Sequence, residues 1–461
     1  MADRAAFLMQ TVYLRGAGLD NEQSNEKIGA MSRTLLPAGE GRTFLGILGD
    51  MFFFSVGASL TSQTTVIPSF LATLTNSAPL IGLASTIATG GWLVPQLFAA
   101  NRLAGLTRRK SAVTIPATVN RSAALLVGPA VLLLAPRSPA GALAAFFALY
   151  LVFWFVDGIA SIAWLDYLGR CLSPSSRARL ISLGTIFPGI AGIGAGAVVG
   201  LVLSSPALKW PLNYSLLFLG SGVLFTLSLI SFFFVKDPPA AAVQPKMPWP
   251  AYFRRMVTVV RGDPAFRLAV LAALALGGIG VAAPFYIVHG LESLGFPPES
   301  IGLFTSVQLV GSVFAALIMG VLGERRGTRS VMRIWGWGAL VTPIIAIAAP
   351  ALAKLLPWAV MYVYALVFVI VGMQGVANMA GFLNWVLEYA PASDRPLYIG
   401  FANTLNGITL VMPLIGGWIL AASGSYFLLF TIAALGPIGG LLLLRRLPEP
   451  RATLSAPAAR P

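Results

Sequence analysis

The 461-residue sequence has little of what catalytic and metal sites are built from. It holds one cysteine, Cys171, and one histidine, His289, which excludes a disulfide framework and any metal centre made from Cys/His clusters. It offers no phosphate-cradling glycine loop and no Ser–His pair with supporting context, so no cofactor is expected and an enzyme is set aside. Charge is scarce as well. Asp, Glu, Lys and Arg make up 10% of the chain, too little to cover the surface of a soluble domain. What remains is 57% hydrophobic, with a mean hydropathy of +0.82. The 48 Gly and 32 Pro sit largely inside apolar runs, where they suit close helix packing and kinks rather than disorder.

Twelve apolar runs recur, at roughly 43–73, 79–104, 111–135, 139–170, 177–204, 212–236, 266–290, 299–322, 330–350, 357–388, 396–421 and 425–445. Each is long enough, at about 1.5 Å per residue, to cross about 30 Å of hydrocarbon. The composition and these runs predict an all-α integral membrane protein. An even number of crossings puts residues 1–41 and 447–461 on the same side.

The excess of 31 Lys+Arg over 16 Asp+Glu first suggests a nucleic-acid partner. Its distribution says otherwise. Of the 31, 27 fall in segments on the side of the termini, and Arg137, Lys209 and Lys354 alone fall opposite. That bias predicts a plasma (inner) membrane protein with both termini cytoplasmic, and it removes nucleic acid as a partner. Residues 1–41 read as a cytoplasmic extension and 447–461 as a cytoplasmic tail. Residues 238–264 read as a Pro-rich linker, and Trp249, Tyr252 and Phe253 beside Arg254 and Arg255 suggest a short interfacial helix. The linker separates a six-span unit at 42–237 from another at 265–446.

The two units look duplicated. A constant offset of 217 residues brings Gly158 onto Gly375, Ala160 onto Ala377, Ala163 onto Ala380, Pro174 onto Pro391, Ser176 onto Ser393 and Gly200 onto Gly417. Duplicated six-helix units are a habit of membrane carriers.

Between spans 8 and 9 the chain reads Gly320-Val-Leu-Gly-Glu324-Arg325-Arg326-Gly327-Thr-Arg329. This resembles the signature loop of the major facilitator superfamily. The first-half counterpart, Asn101 to Lys110, keeps Arg108 and Arg109 but lacks the acid. Pro413-Leu-Ile-Gly416-Gly417 in span 11 is also similar to a pattern of that family. The resemblance implies two pseudo-symmetric six-helix bundles, a monomer, and a cavity lined by spans 1, 4, 7 and 10. It further implies a gate in which Glu324 meets the start of span 5, near Arg177 to Leu183. Glu388 would then hold Arg325 or Arg329, and Asp166 would hold Arg108 or Arg109.

Ionisable residues inside spans are costly and so are candidates for function. Asp50, Arg121 and Asp157 are the ones set deep inside the first-half spans, away from their ends, with Arg121 and Asp157 near one depth on neighbouring spans. Which aspartate partners Arg121 is open from sequence. Helical spacing places Asp50, Phe54, Gly57, Thr61, Thr64 and Pro68 on one stripe of span 1. Trp154, Asp157, Ser161 and Trp164 share a stripe of span 4, and Gln374, Asn378, Gly381, Trp385 and Glu388 share one of span 10. His289 reads as an interfacial anchor more than a titrating group. These stripes predict a neutral-polar and aromatic cavity for a small neutral or amphipathic solute, moved by alternating access. Proton coupling would run through Asp157, or through Asp50, with Arg121 tuning it. The competing reading is a transporter fold with a non-transport role, such as assembly, lipid handling or sensing.

Overall fold

In the computed structural model, residues 40–103, 110–235, 254, 258, 261–391 and 394–450 are described. The linker, the N-terminal extension, Arg108 and Arg109 lie outside them for all or most of their length, as does the side chain of Asp166. Twelve membrane-length apolar segments are present among the described residues. They are Gly41–Leu60, Ala78–Gln96, Lys110–Leu134, Pro139–Leu165, Arg179–Ser204, Leu212–Phe233, Pro264–Glu292, Ser300–Arg326, Thr328–Leu355, Pro357–Tyr389, Tyr398–Ser423 and Tyr426–Leu444, called spans 1 to 12. Among the described residues the chain is all-helical, with the crossings of a multi-pass membrane protein.

Within spans 1–6, span 3 packs on spans 4 and 6, span 1 on spans 5 and 6, and span 2 on span 4. Spans 7–12 repeat the plan: 9 packs on 10 and 12, and 7 on 12. The two groups meet along spans 5 and 8 and along spans 2 and 11. At the second seam a β-carbon on Gly417 would lie 2.5 Å from the Ala78 carbonyl oxygen, so only glycine permits this approach.

Span 1 is not the single run the sequence suggests. It stops at Leu60, unwinds through Thr61–Thr65 and resumes as Val66–Leu74. Pro68, in the first turn after the break, has no N–H to offer the preceding carbonyls. Span 7 breaks at the matching register, turning into a short 3₁₀ segment at Gly278–Val281 and resuming at Phe285–Glu292 after Pro284. Span 10 carries a π-helical segment at Asn378–Leu383, and span 11 a 3₁₀ segment at Gly407–Val411.

On the side away from the termini the two groups are hydrogen-bonded shut. Thr65 and Thr305 pair through their hydroxyls at 2.7 Å, Thr64 donates to Gln308 at 2.7 Å, and Ser306 donates to the Ile193 carbonyl at 2.9 Å. The resumed pieces of spans 1 and 7 pack against each other there too.

Candidate functional site

A buried polar cluster lies where spans 1, 3, 4 and 6 converge. Arg121 in span 3 donates to Asp157 Oδ1 in span 4 at 3.0 Å, and Asn120 donates to the same oxygen at 2.8 Å. The Arg121 guanidinium lies over the Phe54 ring at 4.9 Å and near Phe225 at 5.8 Å, aromatic faces that stabilise a desolvated cation. It reaches on to Ser228 Oγ in span 6 at 3.5 Å. Ser228 in turn donates to Asp50 Oδ1, while the Trp164 indole donates to Asp50 Oδ2 at 2.7 Å.

The sequence left the partner of Arg121 open. The structure gives it directly to Asp157 and only through Ser228 to Asp50. Asp50, Arg121 and Asp157 are all buried, with 8%, 7% and 9% of their surface exposed. Two carboxylates therefore share one guanidinium, and Asp50 receives hydrogen bonds only from neutral groups.

The other expected cavity residues divide. Thr61 sits at the break in span 1 and lines a cavity of about 60 Å³ with Trp154, Tyr150 and Ser221. Thr64 belongs to the far-side closure instead. Trp164 is tied to Asp50, and Ser161 donates to the Gly158 carbonyl of its own helix at 2.9 Å. Gln374 and Asn378 are half-buried in span 10, and the Oε1 of Gln374 has no hydrogen-bond partner in the protein. Trp385 departs from the expected stripe. It is 0% exposed and donates to the Pro448 carbonyl at 3.0 Å, inside the second group. The π segment before it has an extra residue per turn, and this rotates everything that follows off the straight-helix stripe.

The loop between spans 8 and 9 is held by a residue the sequence reading passed over. Glu449, just past span 12, accepts from the backbone N–H groups of Thr328 and Arg329 at 3.2 and 3.1 Å and from the Thr328 hydroxyl at 3.4 Å. A carboxylate on the first turn of span 9 meets unsatisfied N–H groups and the positive end of the helix dipole. Gly327, at φ +80, makes the turn and leaves room for that carboxylate. Arg329 donates to the Leu444 and Arg445 carbonyls at the end of span 12, at 3.1 and 2.8 Å. Glu388 accepts from Thr328 at 3.5 Å. Glu324, Arg325 and Gly320 are exposed at the end of span 8.

A second acid that the sequence did not single out is Glu40, just ahead of span 1. It accepts from the backbone N–H and hydroxyl of Ser173 at 3.1 and 3.3 Å. Ser173 caps the helix that becomes span 5. Asp263, just ahead of span 7, is its counterpart. It accepts from Tyr389 at 2.8 Å and Tyr398 at 2.9 Å, the two residues flanking the turn between spans 10 and 11. Only the neighbourhood of helix starts marks such acids in a sequence.

Residues 268–461 match the family model described as Major Facilitator Superfamily. No curated protein matches the chain. Among solved structures, a nucleoside transporter is 14% identical with a TM-score of 0.68, covering 88% of this chain and 99% of its own. The xylose transporter XylE from E. coli, in an inward open conformation, is 15% identical with a TM-score of 0.61, covering 88% and 96%. A bacterial metal transporter is 17% identical with a TM-score of 0.59, covering 90% and 99%. At these identities the likeness is one of fold, and it extends over both six-span groups.

Proposed function

We propose that this chain, a member of the major facilitator superfamily, is a secondary transporter that exports a small neutral or amphipathic solute in exchange for protons. The observation that carries the coupling is the unbalanced charge of the buried cluster. Asp50 and Asp157 together hold one negative charge more than Arg121 neutralises, at a depth where an unpaired charge is expensive. One carboxyl therefore takes a proton. Asp157 is held by an ion pair and an amide donor, whereas Asp50 is held by a hydroxyl and an indole and reaches the guanidinium only through Ser228. Asp50 is accordingly the proton carrier and Asp157 the fixed counter-charge, the reverse of the emphasis that helix depth suggests.

Alternating access fits the same geometry. Spans 1 and 7 unwind at matching positions, and discontinuous helices in paired repeats mark carrier sites. The positive bias of the termini side supports reading that side as the cytoplasm, in a plasma (inner) membrane. With its far side closed, the described conformation is then the inward-facing one.

The test is proton movement into proteoliposomes carrying a pH-sensitive dye, with a library of neutral solutes applied to wild type, Asp50→Asn and Asp157→Asn. A solute-triggered pH change that Asp50→Asn abolishes while solute exchange persists supports the assignment. Loss only in Asp157→Asn reverses the two roles. Absence of flux for every solute favours the non-transport reading, whose support is the missing acid in the first-half loop.

A further inference from the structure

We propose that the groove between spans 9 and 12, at their termini-side ends, binds an anionic phospholipid, whose phosphate is held by Arg333, Arg445 and Arg446. The inference rests on the membrane crossings and not on any carried solute. Spans 9 and 12 pack together, and a β-carbon on Gly336 would lie 2.7 Å from the Leu441 side chain, which marks their line of contact. Seven residues are close to two turns, so Arg329 lies on the same side of span 9 as Gly336. It reaches across to the Leu444 and Arg445 carbonyls. Arg333 and Trp337 follow at one-turn steps, rotated from that side toward the outer face, and both are exposed, Trp337 by 60%.

Span 12 runs antiparallel to span 9, so the same outward rotation from Leu441 falls on the same flank of the seam. There it carries Ile438, Leu442 and Arg445, all exposed, with Arg446 next to them at the helix end. The groove thus has guanidinium groups at its mouth and an apolar floor. Trp337 sits about 6 Å deeper than Arg333, at the level where an indole suits the boundary of headgroup and acyl chain.

These three cations lack any use inside the protein. Among the described residues none of their side chains has a hydrogen bond or an ion pair. A cation at the end of a helix ordinarily serves its last carbonyls, but at span 12 Arg329 already does so. The neighbouring acid, Glu449, is turned to the backbone N–H groups of Thr328 and Arg329. Arg333 is close enough to Arg329 to repel it. A phosphate at the mouth supplies the missing negative charge, and guanidinium groups match its oxygens in pairs. A free phosphate would leave the apolar floor unused, whereas acyl chains cover it; basic clusters between membrane helices suit anionic headgroups for this reason.

The experiment is native mass spectrometry of the full chain in detergent, offered equal amounts of phosphatidylglycerol and phosphatidylcholine. Wild type is expected to retain phosphatidylglycerol in preference. Arg333→Gln, Arg445→Gln and Arg446→Gln together should cut that preference at least tenfold, since one cation near an anionic headgroup is worth about fivefold. Arg333→Gln alone, an exposed position, should cut it about fivefold and is read should the triple variant fold poorly. A matched control, Arg254→Gln, Arg261→Gln and Arg267→Gln, removes equal charge from exposed positions elsewhere on the termini side and should leave the preference intact. Equal retention of the two lipids by wild type overturns the site. An equal loss in the control does so too, because net charge alone then sets the preference. Inorganic phosphate should fail to displace the retained lipid; displacement would reveal an anion site with no part for the acyl chains, and the proposal falls.

Discussion

Arg121 meets Asp157 at 3.0 Å in a bidding contest that Asp50 enters only through Ser228. The consequence is an asymmetry in stability. Removing Arg121 leaves Asp157 buried with no cation, a change that costs about 3–5 kcal/mol in comparable sites. Replacing Asp50 by Asn leaves an amide oxygen that still accepts from Trp164 or Ser228, and it fixes the uncharged form that the proton-carrier role already requires. Arg121→Ala is expected to lower the unfolding temperature strongly, and Asp50→Asn to leave it unchanged or raise it. Thermal unfolding of the detergent-purified variants decides. Equal losses would mean that Asp50 and Asp157 share the guanidinium equally.

The far-side closure makes a second, separable prediction. Thr65 and Thr305 are 0% and 2% exposed, and their hydroxyls touch across the two groups. Cysteines at both positions should therefore form a disulfide after small adjustment, provided Cys171, the only native thiol, is first changed to Ser. Oxidation is expected to stop transport and reductant to restore it. Full flux in the cross-linked protein would show that this contact does not open during the cycle.

The twelve spans were legible because hydrocarbon thickness sets their length and charge marks their ends. The duplication was legible for a related reason, since it leaves Gly, Ala and Pro at one fixed offset. The breaks were not. Thr61 and Thr64 read as part of a polar stripe on a straight helix, and nothing in a 3.6-residue period announces an unwound segment there. The π segment of span 10 defeated the stripe for the same reason. One extra residue turns the helix by about 100°, which carries Trp385 from the expected face into the packing around Pro448. Asn120 and Ser228 complete the charge cluster but look like ordinary polar residues in apolar helices. Their signal was weak: Ser221, Ser228 and Ser231 recur on span 6 at helical spacing.

Glu449 gives a local prediction with a spatially resolved readout. Its carboxylate serves three donors at the start of span 9, and such charge-assisted bonds are the stronger kind. Glu449→Gln keeps the shape but loses most of that interaction. Faster hydrogen exchange is expected at the amides of Thr328 and Arg329 and in the Leu447–Pro450 segment, with the first-half spans unaffected. Unchanged exchange at those amides would show that the helix dipole and Gly327 hold the turn without the acid.

The remaining prediction concerns two acids and one helix start. Glu324 is the signature acid that the family resemblance assigns to the start of span 5, yet with the far side closed Ser173, at that start, is held by Glu40 of its own half. One helix N-terminus has room for a limited number of acceptors, so the two carboxylates compete for it. Glu40 holds this start in the described state, and the resemblance assigns Glu324 to the same start when the termini side closes. Neutralising them should then shift the equilibrium in opposite directions: Glu40→Gln toward the state closed on the termini side, Glu324→Gln away from it. A carboxylate at a helix start contributes about 0.3–1 kcal/mol, which is roughly a two- to fivefold change in the ratio of states. The readout is labelling of Asn378→Cys, in a Cys171→Ser background, by an impermeant maleimide applied from each side. Shifts of the same sign in both variants would mean that the acids act independently and that span 5 is not the point of exchange.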